Sequence, residues 1–346
     1  MDREAIREVL AQAGLGELRG LQRIESGLGT RRFYRVRLAE SGKRLIARVE
    51  APEDPAGRPA GIPPEPPLEP LRALLEREGL PVPRRLGRFV PGGIALLEDL
   101  GDRSLTRVLP EAAPARRRHL LCAAVDLVPR LQRIADPGGL PAFQRCLGPA
   151  HFAYKAELFQ RYSLPLALGR APRRSEGEVV REAFLWIAEQ CAAAPQRLAH
   201  RDLQSQNLHL VQREEGETLV LIDLQGALLA PPEYDLACLL GDSYVEISEE
   251  EARAQRSRIR PRLPDAPAAD LFEKRFTWLT VTRKSKDHAR FLYAARERGD
   301  ERCLRSLPRT AALLRRTARS CSGDAPALAR LAELVHGLPE DDPCAR

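Results

Sequence analysis

The chain has 346 residues, 43% of them hydrophobic, which is enough to bury a sizeable core in one two-lobed unit or two modest domains. Its formal charge is +7, but 55 basic residues face 48 acidic ones, Arg far outnumbers Lys and the excess is spread along the chain. That reads as composition bias and excludes the basic stripe of a nucleic-acid binder.

Seven Cys, an odd number without a CxxC pair, argue against a disulfide framework or a zinc site and for a reducing compartment. The start is charged and amphipathic, and no run of 18 uncharged apolar residues occurs, so a cytoplasmic protein without a membrane partner is expected.

In chain order, residues 2–13 have helical spacing, followed by strand-like segments near 20–25, 32–38 and 43–50. Between the first two strands lies ESGLGT, where Gly27 and Gly29 would let backbone N–H groups approach a phosphate with no side chain in the way; an ordinary hairpin turn looks the same. The third strand, KRLIARVE, carries Arg48. Its forked guanidinium suits two phosphates, although Ile46 and Arg48 share parity and a solvent-facing strand residue is the plain alternative.

Residues 51–70 contain eight prolines, which predicts an extended loop. LEPLRALLEREG then has helical spacing and offers Glu69 as a partner for Arg48, with Glu65 and Glu76 as rivals and a surface position as the ordinary fate of each. RRLGRFV and IALLEDL around PGG predict two strands and a tight turn. From residue 103 onward helical spacing dominates, over 115–134, 149–163, 178–194, 267–281 and 303–317. Two short apolar strands, 208–211 and 219–222, interrupt it around the polar stretch QREEGE.

The chemistry concentrates at HRDLQSQN, residues 200–207, and LVLIDLQG, which ends its strand at Asp223. Asn207 follows Asp202 by five residues, the HRDxxxxN spacing of a kinase catalytic loop, and a strand-borne Asp follows downstream. A phosphoryl group leaving ATP needs its charge neutralised by Mg²⁺, which prefers hard oxygen ligands. Asn207 and Asp223 would supply them, with Asp202 orienting the attacking hydroxyl. An Asp in a turn is more often a cap or an Asx turn, so the ordered trio, and not any one member, carries the reading. Asp235 in PPEYDLACLL sits near the positive end of a helix and reads as structural.

These two segments together resemble the aminoglycoside phosphotransferase and choline kinase superfamily. GLGTRRFYRV at 27–36, GLPVPRRLG at 79–87, ALLEDLGDRSL at 95–105 and AELFQRY at 156–162 are similar to bacterial kinases that phosphorylate the anomeric hydroxyl of N-acetylmuramate or N-acetylglucosamine.

The resemblance implies an α+β, bilobal protein-kinase-like fold, with a β-rich nucleotide-binding lobe over 1–102 and a mainly helical catalytic and substrate-binding lobe over 103–346. It implies ATP and Mg²⁺ as cofactors, backbone at Glu98 to Leu100 meeting adenine, and a small-molecule acceptor, expected to be a sugar. It gives no oligomeric state.

Two departures, Arg48 where a lysine is expected and Gly226 where amino-sugar kinases usually carry Asp, keep a pseudokinase regulator as an alternative. Another acceptor, such as an aminoglycoside or a choline-like compound, is the nearer one. Polycationic aminoglycosides need a strongly acidic pocket, and the one dense acidic run, SEEE at 248–251, reads as a helix start. A protein kinase is disfavoured because DLQ replaces DFG and no APE-like segment follows. Glu157 and the basic stretch RKSKDHAR, with Arg283, Lys284, Lys286 and His288, stand out as substrate contacts. The default for the basic stretch is a solvated helix face; facing the cleft, it would suit an acidic acceptor.

Overall fold

The computed structural model describes residues 2–25, 31–50, 59–87 and 93–339. In chain order, α1 (Asp2–Gln12) leads into β1 (Leu18–Ile24), β2 (Arg32–Leu38) and β3 (Arg44–Val49), then α2 (Leu68–Arg77) and β4 (Ile94–Glu98). Helices α3 (Leu105–Val108), α4 (Pro114–Gln132), α5 (Pro149–Leu158), α6 (Leu164–Leu168) and α7 (Arg174–Ala192) follow. Strand β5 (Arg197–Ala199), the pair β6 (Leu208–Arg213) and β7 (Gly216–Leu221), and β8 (Leu228–Ala230) come next. The chain then runs through α8 (Tyr234–Leu240), α9 (Glu249–Ile259), α10 (Ala269–Arg298), α11 (Leu307–Ser320) and α12 (Pro326–His336).

Two compact units emerge, neither a single stretch of chain. The first joins Met1–Arg58, Pro81–Arg103 and His209–Ile222; the second joins Pro59–Leu80, Ser104–Leu208 and Asp223–Arg346.

In the first unit, β1 to β4 form an antiparallel sheet in sequence order. Alternation sends Leu45, Ala47 and Val49 of β3 into a core with Val36, Leu38, Ile94 and Leu96, sealed by Ile6 and Leu10 one helical turn apart on α1. Burying each large aliphatic side chain contributes roughly 1.5–3 kcal/mol. Arg48, of opposite parity, pairs across the sheet with Phe33 and Ala95. The strand expected in RRLGRFV is reduced to one bridge, Arg85 to Leu97, flanked by Leu86 N–H to Leu96 O and Glu98 N–H to Arg84 O, each 2.9 Å. The strands β6 and β7 join through a two-residue turn at Glu214 and Glu215 and are tied to this unit by Leu210 N–H to Arg103 O and Leu221 N–H to Pro81 O, each 2.8 Å.

The second unit is built around α10. It runs 30 residues, well past the expected end at 281, because no breaker intervenes before Gly299, which ends it at φ +64°. The helix expected over 149–163 instead ends at Leu158, and one π-turn, Phe159–Ser163, carries the chain into α6. SEEE opens α9 as expected: Ser248 Oγ accepts from Glu251 N–H at 3.1 Å, and the Glu251 carboxylate accepts from Ser248 N–H at 3.0 Å. No helix among the described residues is long and apolar enough to cross a membrane.

Candidate active site

The segment 200–207 leaves β5, which pairs antiparallel with β8, and two buried carboxylates hold it. Asp235, in the first turn of α8, accepts from His200 N–H at 2.7 Å and from Arg201 N–H at 3.0 Å. Asp242, just after α8, accepts from Ser205 N–H and Tyr244 N–H, both at 2.6 Å. Such charge-assisted bonds to backbone are stronger than neutral ones. Burial pushes the Asp235 carboxyl up, against the lowering influence of His200 and the two N–H donors. Arg201 takes φ +76°, which lets consecutive N–H groups reach one carboxylate; a non-glycine residue there stores roughly 1–3 kcal/mol of strain. Asp202 N–H donates to His200 Nδ1 at 3.3 Å. His200 and the Arg201 backbone therefore shape the loop.

Within it, Asn207 Nδ2 donates to the Asp202 carbonyl at 2.8 Å. The five-residue spacing thus closes a ring that fixes the amide and makes its oxygen the atom on offer. The Asp202 side chain is 29% exposed and accepts from Arg283 Nη1 at 2.6 Å, with Lys286 Nζ 3.6 Å from the same oxygen. Burial opposes its charge, but Lys286, Arg283 and Arg201 outweigh burial and hold the carboxyl well below the usual range.

This corrects the solvated-face expectation for RKSKDHAR. Arg283, Lys284, Asp287 and His288 are buried, and Lys286 is half-buried. The physical reason is compensation within the stretch: Asp287 lies 3.1 Å from Arg283 Nε, 2.7 Å from Lys284 Nζ and 3.6 Å from Lys286 Nζ. Lys284 also donates to Ser243 Oγ at 2.8 Å, and His288 Nδ1 lies 2.8 Å from Ser163 Oγ. Burial and Arg283 lower Lys286 to about 8, against Asp202 and Asp287.

Glu157 is exposed, whereas Lys155 two residues earlier is buried. Its Nζ lies 3.5 Å from the Tyr234 hydroxyl and about equally far, 4.9 and 5.0 Å, from the ring centres of Phe152 and Tyr234. Burial, with Lys286 and Arg283 nearby, lowers it to about 7. Lys155, Asp242 and Asp287 carried no expectation. One signal was available, since the chain has only five lysines and three of them are 155, 284 and 286.

Asp223 follows β7 and Asn207 precedes β6, so the turn between the strands folds the chain back from one residue toward the other. Asp223 is exposed, takes φ +64° and accepts a hydrogen bond from Gln225 Nε2. Among the described residues three non-glycines have positive φ, and Arg201 and Asp223 are two of them, the clustering expected of a functional site. No group of three or more His, Cys, Asp or Glu among the described residues could hold a metal. A set of one carboxylate and one amide oxygen still fits Mg²⁺, which takes few protein ligands when phosphates supply the rest. A Cβ at Gly226 would sit 3.4 Å from Arg201 Nη1 and 3.7 Å from Glu65 Oε1, and those two atoms pair at 3.3 Å.

On the nucleotide side, Gly27 and Gly29 lie outside the described residues. Arg48 is 4% exposed and pairs with Glu50, so a solvent-facing strand residue is ruled out. Glu69 pairs with Arg72 at 2.9 Å, Glu76 with the same arginine at 3.0 Å, and Glu65 with Arg201. The Glu98 carboxylate takes Arg213 Nη2 at 2.8 Å while its N–H is used by Arg84 O, and Leu100 is half-buried.

Residues 20–272 match the model of a phosphotransferase enzyme family. The chain is 29% identical over 260 residues to the N-acetylmuramate/N-acetylglucosamine kinase of Neisseria meningitidis serogroup B, covering 73% of this chain and 75% of that protein. It is 26% identical over 346 residues to the protein of the same name from Pseudomonas aeruginosa, covering 96% and 93%. Among solved structures, choline kinase LicA from Streptococcus pneumoniae aligns with a TM-score of 0.60 at 17% identity over 90% of this chain and 98% of that one, a likeness of fold.

Proposed function

The chain belongs to the phosphotransferase enzyme family and is a small-molecule kinase with a hydroxyl acceptor; we propose that it moves the γ-phosphoryl group of ATP to the anomeric hydroxyl of N-acetylmuramate or N-acetylglucosamine. The observation that carries the amino sugar is the likeness to the Pseudomonas aeruginosa kinase of these sugars along nearly the whole chain.

Asp202 accepts the hydrogen bond of the acceptor hydroxyl and takes its proton late in a largely dissociative transfer, a task for an aligned but weakly basic carboxylate. Asn207 and Asp223 would hold Mg²⁺, which supplies charge neutralisation at the β and γ phosphates when bound. Gly27, Gly29 and Arg48 take the phosphates, and backbone from Glu98 to Leu100 receives adenine. A reaction that consumes ATP fits the cytoplasm.

Electrostatics favour a neutral or anionic acceptor over choline or an aminoglycoside. Arg201, Arg283 and Lys286 act together on Asp202, and the rings of Phe152 and Tyr234, which could receive an ammonium group, already hold Lys155.

The test is a panel of amino sugars, aminoglycosides and choline with Mg·ATP, read by phosphorus NMR. An anomeric phosphate blocks the reducing end and is lost in mild acid, whereas a 6-phosphate does neither. Formation of no 1-phosphate from either sugar, with turnover of another compound, removes the amino-sugar reading and leaves the kinase.

A further inference from the structure

We propose that Arg283 is a positioning residue that commits one carboxylate oxygen of Asp202 and so presents the other to the acceptor hydroxyl. The proposal rests on the reading of Asp202 as the residue that orients the acceptor.

The Arg283 side chain is 2% exposed, and its guanidinium is held along both edges. Nη1 donates to Asp202 Oδ1 at 2.6 Å and to the Arg201 carbonyl at 3.1 Å, while Nε donates to Asp287 Oδ2 at 3.1 Å. Asp287 lies one turn further along α10 and is itself fixed by Lys284 at 2.7 Å. A planar fork gripped this way cannot turn without breaking charge-assisted bonds on two sides.

The grip extends to Asp202, whose backbone is locked by Asn207 and whose Oδ1 faces both Arg283 and Lys286. Oδ2 takes no hydrogen bond from the described residues. A hydroxyl donating to Oδ2 would thus meet a carboxylate whose rotation is already settled, the condition under which a reacting group gains most from orientation.

The experiment compares Arg283→Gln, which loses charge and fork, with Arg283→Lys, which loses only the fork. In Arg283→Gln, kcat falls about 100-fold while KM for ATP stays within about twofold. In Arg283→Lys, which returns the charge without the fork, kcat recovers only part of that loss and KM for ATP again stays within about twofold.

A folded Arg283→Gln protein with parent kcat overturns the proposal. Should that variant fail to fold, Arg283→Lys decides: parent kcat overturns the proposal, and a lowered kcat at unchanged ATP KM supports it. Parent kcat in Asp202→Asn removes the reading of Asp202 and the proposal together, whereas inactive Asp202→Asn beside unaffected Arg283 variants removes the proposal alone.

Discussion

Arg32 on β2 meets Asp2 with Nε 2.6 Å from the carboxylate, and Arg283 on α10 meets Asp202 at the same 2.6 Å. The first arginine side chain is 36% exposed and the second 2%. Equal distances therefore describe unequal interactions. In water the exposed pair exchanges one set of favourable contacts for another and contributes little. The buried arginine has surrendered its hydration and depends on its partners, so removing one leaves part of a buried charge uncompensated. Of these two arginines, the one in the sheet unit dresses a surface and the one in the helical unit fixes Asp202.

The largest effect is expected at Asp223 and Asn207, the residues proposed to hold the metal. Asp223→Ala is expected to lower Mg·ATP turnover about 1,000-fold or more, and Asn207→Ala to weaken it severely, with folding preserved. Asp223→Gly sharpens the point, because glycine tolerates φ +64° at no steric penalty. That variant should be as inactive as Asp223→Ala and more stable than it in urea titration. A folded, fully active Asp223→Ala protein would take away the metal role.

Next comes Asp287, the carboxylate that contacts all three of Arg283, Lys284 and Lys286. Asp287→Asn leaves three cations short of compensation, and breaking a buried pair of this kind destabilises by about 3–5 kcal/mol. Chemical denaturation should show it as a lower midpoint at unchanged slope. A change no larger than that of a surface substitution would mean that the buried cluster is far more hydrated than its exposure implies.

Arg48 comes third. It is buried yet belongs to the sheet unit, so it tests whether burial or location sets the consequence. Arg48→Ala should raise KM for ATP about tenfold and lower kcat, and Arg48→Lys should recover part of the loss, because the charge returns without the fork. Steady-state kinetics identical to the parent would leave Arg48 a packing role with Glu50 and nothing more.

The division between what the chain's residues announce and what they conceal follows the same line. The pair of strands that separates Asn207 from Asp223 was legible because two short apolar runs flank a polar stretch, while the phosphate and Mg²⁺ roles of those residues are what the HRDxxxxN spacing proposes. Strand parity likewise exposed the β3 core residues Leu45, Ala47 and Val49. The hold of Arg283 on Asp202 spans 81 positions and depends on how α10 packs, and a buried RKSKDHAR has the same composition as a solvated one. Asp287, three and four residues after Lys284 and Arg283, was a local hint of internal compensation that spacing alone could not tell from a surface salt bridge. The π-turn at Phe159–Ser163 has no residue signature, and only the packing that brings Ser163 to His288 reveals its use.

A gentler effect is expected from pH. Burial lowers His288 to about 3, and burial with the nearby Arg201 and Lys155 lowers His151 to about 4, both from an ordinary value of 6.5. In the unfolded chain each takes up its proton near 6.5, before the folded protein does. The unfolded state therefore binds more protons between 6.5 and the folded values, and stability falls with falling pH across that window. Melting temperature should decline from pH 6.5 toward pH 4, less steeply in His288→Gln, and equal slopes in parent and variant would contradict the assignment to His288.

The smallest effect closes the comparison. Asp2 accepts from Arg32 Nε and Nη2 and from the Tyr34 hydroxyl, so the contact is bidentate and of good geometry. Geometry alone would rank it beside the Arg283 contact. Its charges, however, remain open to solvent, water can replace either partner, and salt screens what attraction remains. Arg32→Ala should leave the denaturation midpoint and the kinetics indistinguishable from the parent at physiological ionic strength, with any residual difference shrinking as salt is added. A loss comparable to that of Asp287→Asn would show that α1, whose Ile6 and Leu10 seal the sheet core, depends on this pair for its seat, and burial would no longer be the variable that separates the two arginines.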